Sequence, residues 1–129
     1  MLIGGGAAVN QERTDNGATP VYIAARQGNT EVVRLLISSG ATVNQGKTDD
    51  GATPLFIAAQ EGHTELVSLL ISSGAAVNQA TTDNGTTPLF LAALVGRTEV
   101  VCLLIDGGAA VNQARTDDGT TPLYIAAQQ

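Results

Sequence analysis

Apolar residues in this chain come in short clusters, each bounded by residues that start or stop a helix. In the stretch from Gly51 to Asn84, Leu55, Phe56, Ile57, Ala58 and Ala59 follow Thr53-Pro54 and run toward Gly62. Threonine can cap free N–H groups, and proline at the first helical position sacrifices no hydrogen bond, so Thr53-Pro54 predicts a helix start. The helix is short, about two to three turns, and its alanines allow close approach of a neighbour. A second cluster holds Leu66, Val67, Leu69, Leu70 and Ile71. Its i, i+3, i+4 spacing predicts another helix, with an apolar stripe that needs neighbours on both sides. It opens around His63-Thr64-Glu65, where either His63 or Thr64 can cap and Glu65 suits the positive end of the dipole. Gly74 supplies a left-handed stop.

From Ala75 to Asn84 the helical period disappears. Thr82-Asp83-Asn84-Gly85 is a tight-turn signal. This stretch predicts an extended, hairpin-like finger, loosely paired with the finger of the next unit.

The whole pattern returns every 34 residues: Gly17-Ala18-Thr19-Pro20 reappears as Gly51-Ala52-Thr53-Pro54, as Gly85-Thr86-Thr87-Pro88 and as Gly119-Thr120-Thr121-Pro122. The three complete units agree at 19 of 34 positions. A chain of this kind stacks one small unit on its copies, so function sits on the surface of the stack. The division that follows is a single array over 1–129, with a partial repeat at 1–16, full repeats at 17–50, 51–84 and 85–118, and a partial repeat at 119–129. Leu2 to Asn10 align with Leu36 to Asn44, so the chain is expected to begin at the tail of a second helix and to end in or just after a first one. Neither end carries a polar capping repeat. A segment of a longer array, frayed at both ends, is the expectation.

The motif Gly-x-Thr-Pro-Leu-x-x-Ala-Ala-x-x-Gly, then Glu-x-Val-x-Leu-Leu, then Gly-Ala-x-Val-Asn resembles the ankyrin repeat in order and spacing. The resemblance covers essentially the whole chain and implies an all-α repeat fold: an ankyrin-type α-solenoid of helix-turn-helix units with β-hairpin-like finger loops. The family unit is usually about 33 residues, so each copy here carries one extra, placed in the finger between Asn78 and Gly85. The family's usual histidine after Thr-Pro-Leu is replaced by an aromatic: Tyr22, Phe56, Phe90 and Tyr124. That removes a polar tie back to the threonine cap.

Composition narrows the function. A net charge of −6 argues against nucleic acid, whose phosphates need a basic surface, and against a polybasic membrane contact. The one cysteine, Cys102, excludes an intrachain disulfide and fits a reducing compartment. The start has no basic n-region, and nothing approaches the roughly 20 apolar residues of a membrane span. An intracellular protein, cytoplasmic by default, is the expectation.

Little here suggests catalysis. The four aromatics are the entire aromatic inventory and share one repeat position; they are either core fillers or an exposed ladder along a groove. His63 is the single histidine and has no Cys or His cluster around it at ligand spacing, so it reads as a helix-start residue. Cys102 takes the place of Arg34 and Ser68 on a partly exposed helix face, with no neighbour in sequence to activate it. Gly4-Gly5-Gly6 lacks the Lys-Ser/Thr of a phosphate cradle and aligns with a helix end. No catalytic residue, metal or cofactor is expected.

Specificity belongs where the repeats disagree. Those positions are Arg26-Gln27, Gln60-Glu61 and Leu94-Val95 at the first-helix end, Arg97 just beyond, and Lys47, Thr81 and Arg115 in the fingers. By resemblance to the family, fingers and first helices form a concave binding face. Leu94-Val95 puts apolar residues where polar ones stand in the other units, either as partner anchors or packed on the next repeat. Asp49-Asp50, Asp83 and Asp117-Asp118 serve the turns, or steer a basic partner segment. The reading is a non-catalytic interaction module for a protein partner, a monomer or part of a longer array. The alternative is an ankyrin segment of a larger enzyme, receptor or channel.

Overall fold

A computed structural model describes residues 9–128. The expectation of a second-helix tail rests on Leu2 to Asn10, of which residues 2–8 lie outside the described residues. Seven helices lie wholly among the described residues, in order: α1 (Pro20–Arg26), α2 (Thr30–Ser38), α3 (Pro54–Glu61), α4 (Thr64–Ser72), α5 (Pro88–Leu94), α6 (Thr98–Asp106) and α7 (Pro122–Gln128). They alternate as first and second helices of successive units.

Every first helix starts by the same chemistry. Thr19, Thr53 and Thr87 are buried N-caps, and each hydroxyl accepts the backbone N–H three residues on: Tyr22 at 3.3 Å, Phe56 at 3.2 Å and Phe90 at 3.1 Å. Thr121 repeats this with Tyr124 at 3.1 Å. The cap survives the loss of the family histidine because it uses a backbone donor, and each such cap is worth ~1 kcal/mol. Second helices end on a left-handed glycine. After α4, Gly74 at φ +97° lets its own N–H reach Ile71 O and the Ala75 N–H reach Leu70 O, which closes the last turn.

First helices pack on first helices (α1 on α3, α3 on α5, α5 on α7), and second helices on second helices (α2 on α4, α4 on α6). The first-helix row is the tighter of the two. Its interfaces are built on Ala25, Ala58, Ala59 and Ala92, all fully buried, whose methyl side chains admit close backbones. Between the rows lies one continuous core of Val33, Leu36, Leu55, Leu66, Leu70, Val100 and Leu104. Each fully buried leucine or valine contributes ~1.5–3 kcal/mol.

The fingers differ from the hairpin expectation. No strand occurs among the described residues. Each finger is a closed turn: the Lys47 N–H donates to Ala52 O and the Gly51 N–H to Lys47 O, both at 2.9 Å, and the pattern returns at 13–18, 81–86 and 115–120. Neighbouring fingers share a single backbone bond of this register: Thr48 N–H to Asn16 O, Thr82 N–H to Asp50 O, and Thr116 N–H to Asn84 O, at 2.8–2.9 Å. Asp and Asn side chains take other turn N–H groups, as Asp50 does from Ala52 and Asn16 from Ala18. No strand ladder can grow from one bond per interface.

A second stitch is supplied by the repeated Val-Asn. Asn44 accepts the Ala76 N–H at 2.8 Å and donates to Gly74 O at 3.2 Å; Asn10 does the same for Thr42 and Gly40. Asn78 accepts from Ala110 at 2.7 Å. Each asparagine thus satisfies the loop that ends the next unit's second helix.

Candidate functional site

Finger and first-helix residues line a shared cavity, and the aromatics at the third positions of α1 and α5 lie against the cation of the finger that follows. Tyr22 is 4% exposed, and the Lys47 ammonium stands 5.2 Å from its ring centroid. Phe90 is 2% exposed, and the Arg115 guanidinium carbon stands 5.1 Å from its ring centroid. In both units the cation comes 25 residues after the aromatic. Each cation is also held by the acids of its own turn. Lys47 Nζ lies 3.7 Å from Asp49 and 3.8 Å from Asp50, while Arg115 is 2.6 Å from Asp117 and 3.6 Å from Asp118. A ring face attracts a cation most strongly when water is kept away. Burial works to lower the Lys47 pKa, yet Tyr22, Asp50 and Asp49 outweigh it and the net movement is upward. Burial raises the Tyr22 hydroxyl pKa, against Lys47.

The middle unit breaks this pattern. Thr81 stands 25 residues after Phe56 and offers no charge. Phe56 is correspondingly only half-buried. An open cavity of about 210 Å³ occupies this place, lined by Asp50, Phe56, Thr81, Asp83, Leu94 and Arg115 among others. The Thr81 hydroxyl holds the Asp83 carboxyl below the ordinary aspartate value. Asn84 closes the cavity wall. With its amide oxygen toward Arg115 Nη2 at 2.8 Å, its nitrogen reaches Thr81 Oγ1 at 2.9 Å and Thr86 Oγ1 at 2.6 Å.

The ten positions singled out from the sequence fall into two groups. Leu94 (45% exposed) and Val95 (46% exposed) lie at the end of α5, and Leu94 borders the cavity with Thr81 and Arg115. Arg26, Gln27 and Glu61 are exposed, and Gln60 is half-buried with its amide 3.3 Å from Glu61. Lys47, Thr81 and Arg115 are engaged inside the stack as described. Arg97 is exposed, but its Nε donates to Gln60 O at 3.3 Å, capping the end of the preceding first helix. His63 does the same one unit earlier, with Nε2 at 3.2 Å from Arg26 O. Neither caps its own helix, whereas Asn29 accepts the Val32 N–H at 3.5 Å. A larger opening of about 410 Å³ lies beside Arg97 at the start of α6. It is lined by Gly62, Thr64, Gly96, Thr98, Val100 and Arg97, with Glu99 the one carboxylate.

Among the described residues no three His, Cys, Asp or Glu side chains gather as metal ligands. Cys102 is exposed and unpaired. No helix among the described residues is long and apolar enough to cross a membrane.

Repeated Thr-capped helix pairs, left-handed glycine stops and finger turns define a helical repeat protein of the solenoid class. A family model for ankyrin repeats (3 copies) matches residues 1–81 and 76–129. The chain belongs to the ankyrin repeat family, whose repeats are generally protein–protein interaction modules and typically non-catalytic. No curated protein matches it.

Proposed function

We propose that this chain is a non-catalytic adaptor that holds a segment of a partner protein against the face made by its fingers and first helices. One observation carries the reading. A break in that face, the cavity at Phe56, is bordered by the exposed Leu94, which the exposed Val95 follows in the chain. Apolar side chains at the rim of a preformed opening are the usual anchors of an interface. The face is held by finger bonds, asparagine stitches and helix-end caps before any partner arrives, so little order remains to be created on binding. Arg26, Gln27, Gln60, Glu61 and Arg97 would form the surrounding polar contacts. Lys47, Thr81 and Arg115 shape the openings. The lone exposed thiol fits an intracellular setting.

The test is to capture partners from cell extract, then titrate the captured protein against the chain and against Leu94→Gln/Val95→Glu, which restores the residues of the preceding unit. The expected result is at least about a tenfold loss of affinity with unchanged helicity by circular dichroism. Unchanged affinity would remove this face from the interface.

A further inference from the structure

Three stations along the finger face are built to one plan: an aromatic on a first helix, a residue 25 positions later in the next finger, and acids in that finger's turn. At two of them the later residue is a cation lying on the ring and paired with the acids. At the third it is Thr81, and the place that Lys47 and Arg115 fill elsewhere is an open cavity of about 210 Å³. The ring beneath, Phe56, is left half-buried where Tyr22 and Phe90 are buried.

The charges around the opening are unequal. Asp83, the counterpart of Asp49 and Asp117, has no ion pair at 4 Å or less among the described residues, although both counterparts do. Asp50 borders the opening from the preceding finger and is shared with Lys47 at 3.8 Å. Arg115, the one cation on the wall, has its two terminal nitrogens turned to Asp117, Asp118 and the Asn84 amide oxygen, while its buried Nε makes no hydrogen bond. The opening therefore presents an aromatic face and a carboxylate that makes no ion pair at 4 Å or less among the described residues, and the chain around it carries a net charge of −6.

We infer that this station binds a lysine or arginine side chain of the partner segment, which takes the position that Lys47 and Arg115 hold in the flanking units. Aromatic face and carboxylate act together on one cation, as they do intramolecularly on either side. The net negative charge steers a basic segment toward the face. This deepens the adaptor reading and rests on it: it names the side chain received at the middle of the face, while Leu94 supplies the apolar contact beside it.

The experiment uses the whole chain, ¹⁵N-labelled, titrated with acetyl-Gly-Gly-Arg-Gly-Gly-amide and with the same peptide carrying citrulline, which keeps the shape and loses the charge. The expected result is saturable shifts centred on the amides of Phe56, Thr81 and Asp83 for the arginine peptide, and none for citrulline. Thr81→Arg places the missing cation within the chain itself and should abolish those shifts, and its folding is checked by the unchanged remainder of the spectrum. Asp83→Asn, which alters no shape, should weaken the peptide about threefold. Equal binding of citrulline, shifts centred elsewhere, or full binding by Thr81→Arg would each overturn the inference. The two readings separate cleanly. A captured partner that loses affinity for Leu94→Gln/Val95→Glu but not for Thr81→Arg upholds the adaptor and overturns the cation site. A peptide site that behaves as expected alongside an unaffected Leu94/Val95 variant does the reverse.

Discussion

Phe90 and Tyr124 stand at the same place in the repeat, each directly after Thr-Thr-Pro-Leu, yet Phe90 is 2% exposed and Tyr124 is 56% exposed. The leucines before them differ as widely, 2% for Leu89 against 57% for Leu123. Their helices begin identically, with threonine accepting the aromatic's N–H at 3.1 Å in both. What differs is the company. Arg115 and its finger cover Phe90, and α7 packs on α5, whereas no helix packs on the outer side of α7 among the described residues. Local sequence makes the helix, and the adjacent copy makes the core. The aromatics are accordingly neither a uniform core nor a uniform exposed ladder: Tyr22 and Phe90 are buried, Phe56 is half-buried and Tyr124 is exposed.

The sharpest way to break this comparison is to delete the same kind of side chain at both places. Leu89, the counterpart of Leu123, is buried in the core at 2% exposure, and Leu89→Ala leaves a cavity that its close-packed neighbours cannot fully close. It should cost ~2–5 kcal/mol in urea unfolding. Leu123→Ala removes a side chain already in contact with solvent and should stay within about 0.5 kcal/mol. If the two variants unfolded at the same urea concentration, burial by the neighbouring copy would not be the source of stability.

A smaller effect sharpens the finger contact alone. Gly85 and Gly119 close equivalent turns at φ +72° and +73°. A side chain at either place pays the left-handed backbone cost of ~1–2 kcal/mol. Only Gly85 is also pressed by the next finger: a Cβ there would lie 2.9 Å from Thr116 Cγ2 and 3.0 Å from the Thr116 backbone nitrogen, while at Gly119 nothing lies within 4 Å. Gly85→Ala should therefore exceed Gly119→Ala by roughly 1 kcal/mol or more. Equal losses would mean that the fingers do not bear on each other.

The same contrast explains what could be read from the chain. Helix starts, helix stops and the 34-residue period were legible because they are written in local chemistry: Thr-Pro, Glu in a first turn, glycine after a last one. Contacts between copies were harder to read. His63 looks like an ordinary helix-start residue, but its imidazole turns back 37 residues to Arg26 O, and Arg97 turns back to Gln60 O. The Val-Asn pairs repeat faithfully without announcing that each asparagine serves the next unit. Lys47 and Arg115 read as free finger positions, and the signal that they lie on rings was a spacing of 25 that only the stacked register explains. The finger read as a hairpin because Asp-Asn-Gly suits one. It became a closed turn because side chains took the N–H groups a ladder would have used.

Acid gives the smallest effect and compares the two regions once more. The Thr81 hydroxyl lowers the pKa of Asp83 in the middle of the stack, and the Thr120 N–H and hydroxyl lower that of Asp118 beside α7. At the other end the Arg13 side chain brings Asp15 down to about 2. A folded-state pKa below the ordinary 3.8 means that the unfolded chain takes up protons first as pH falls. Each contribution is therefore complete above the unfolded value and is lost as pH drops through the folded one. Thermal unfolding followed by circular dichroism should show a midpoint that is flat from neutral pH to about 5 and declines from about 4 toward 2. All three carboxylates are solvent-accessible, which keeps the change modest. Asp118 supports the turn that leads into the uncovered α7, so amides of α7 should lose exchange protection before those of α3 and α4 over this range. A midpoint that rose on acidification, or loss of protection beginning in α3, would contradict the order in which these turns hold the stack.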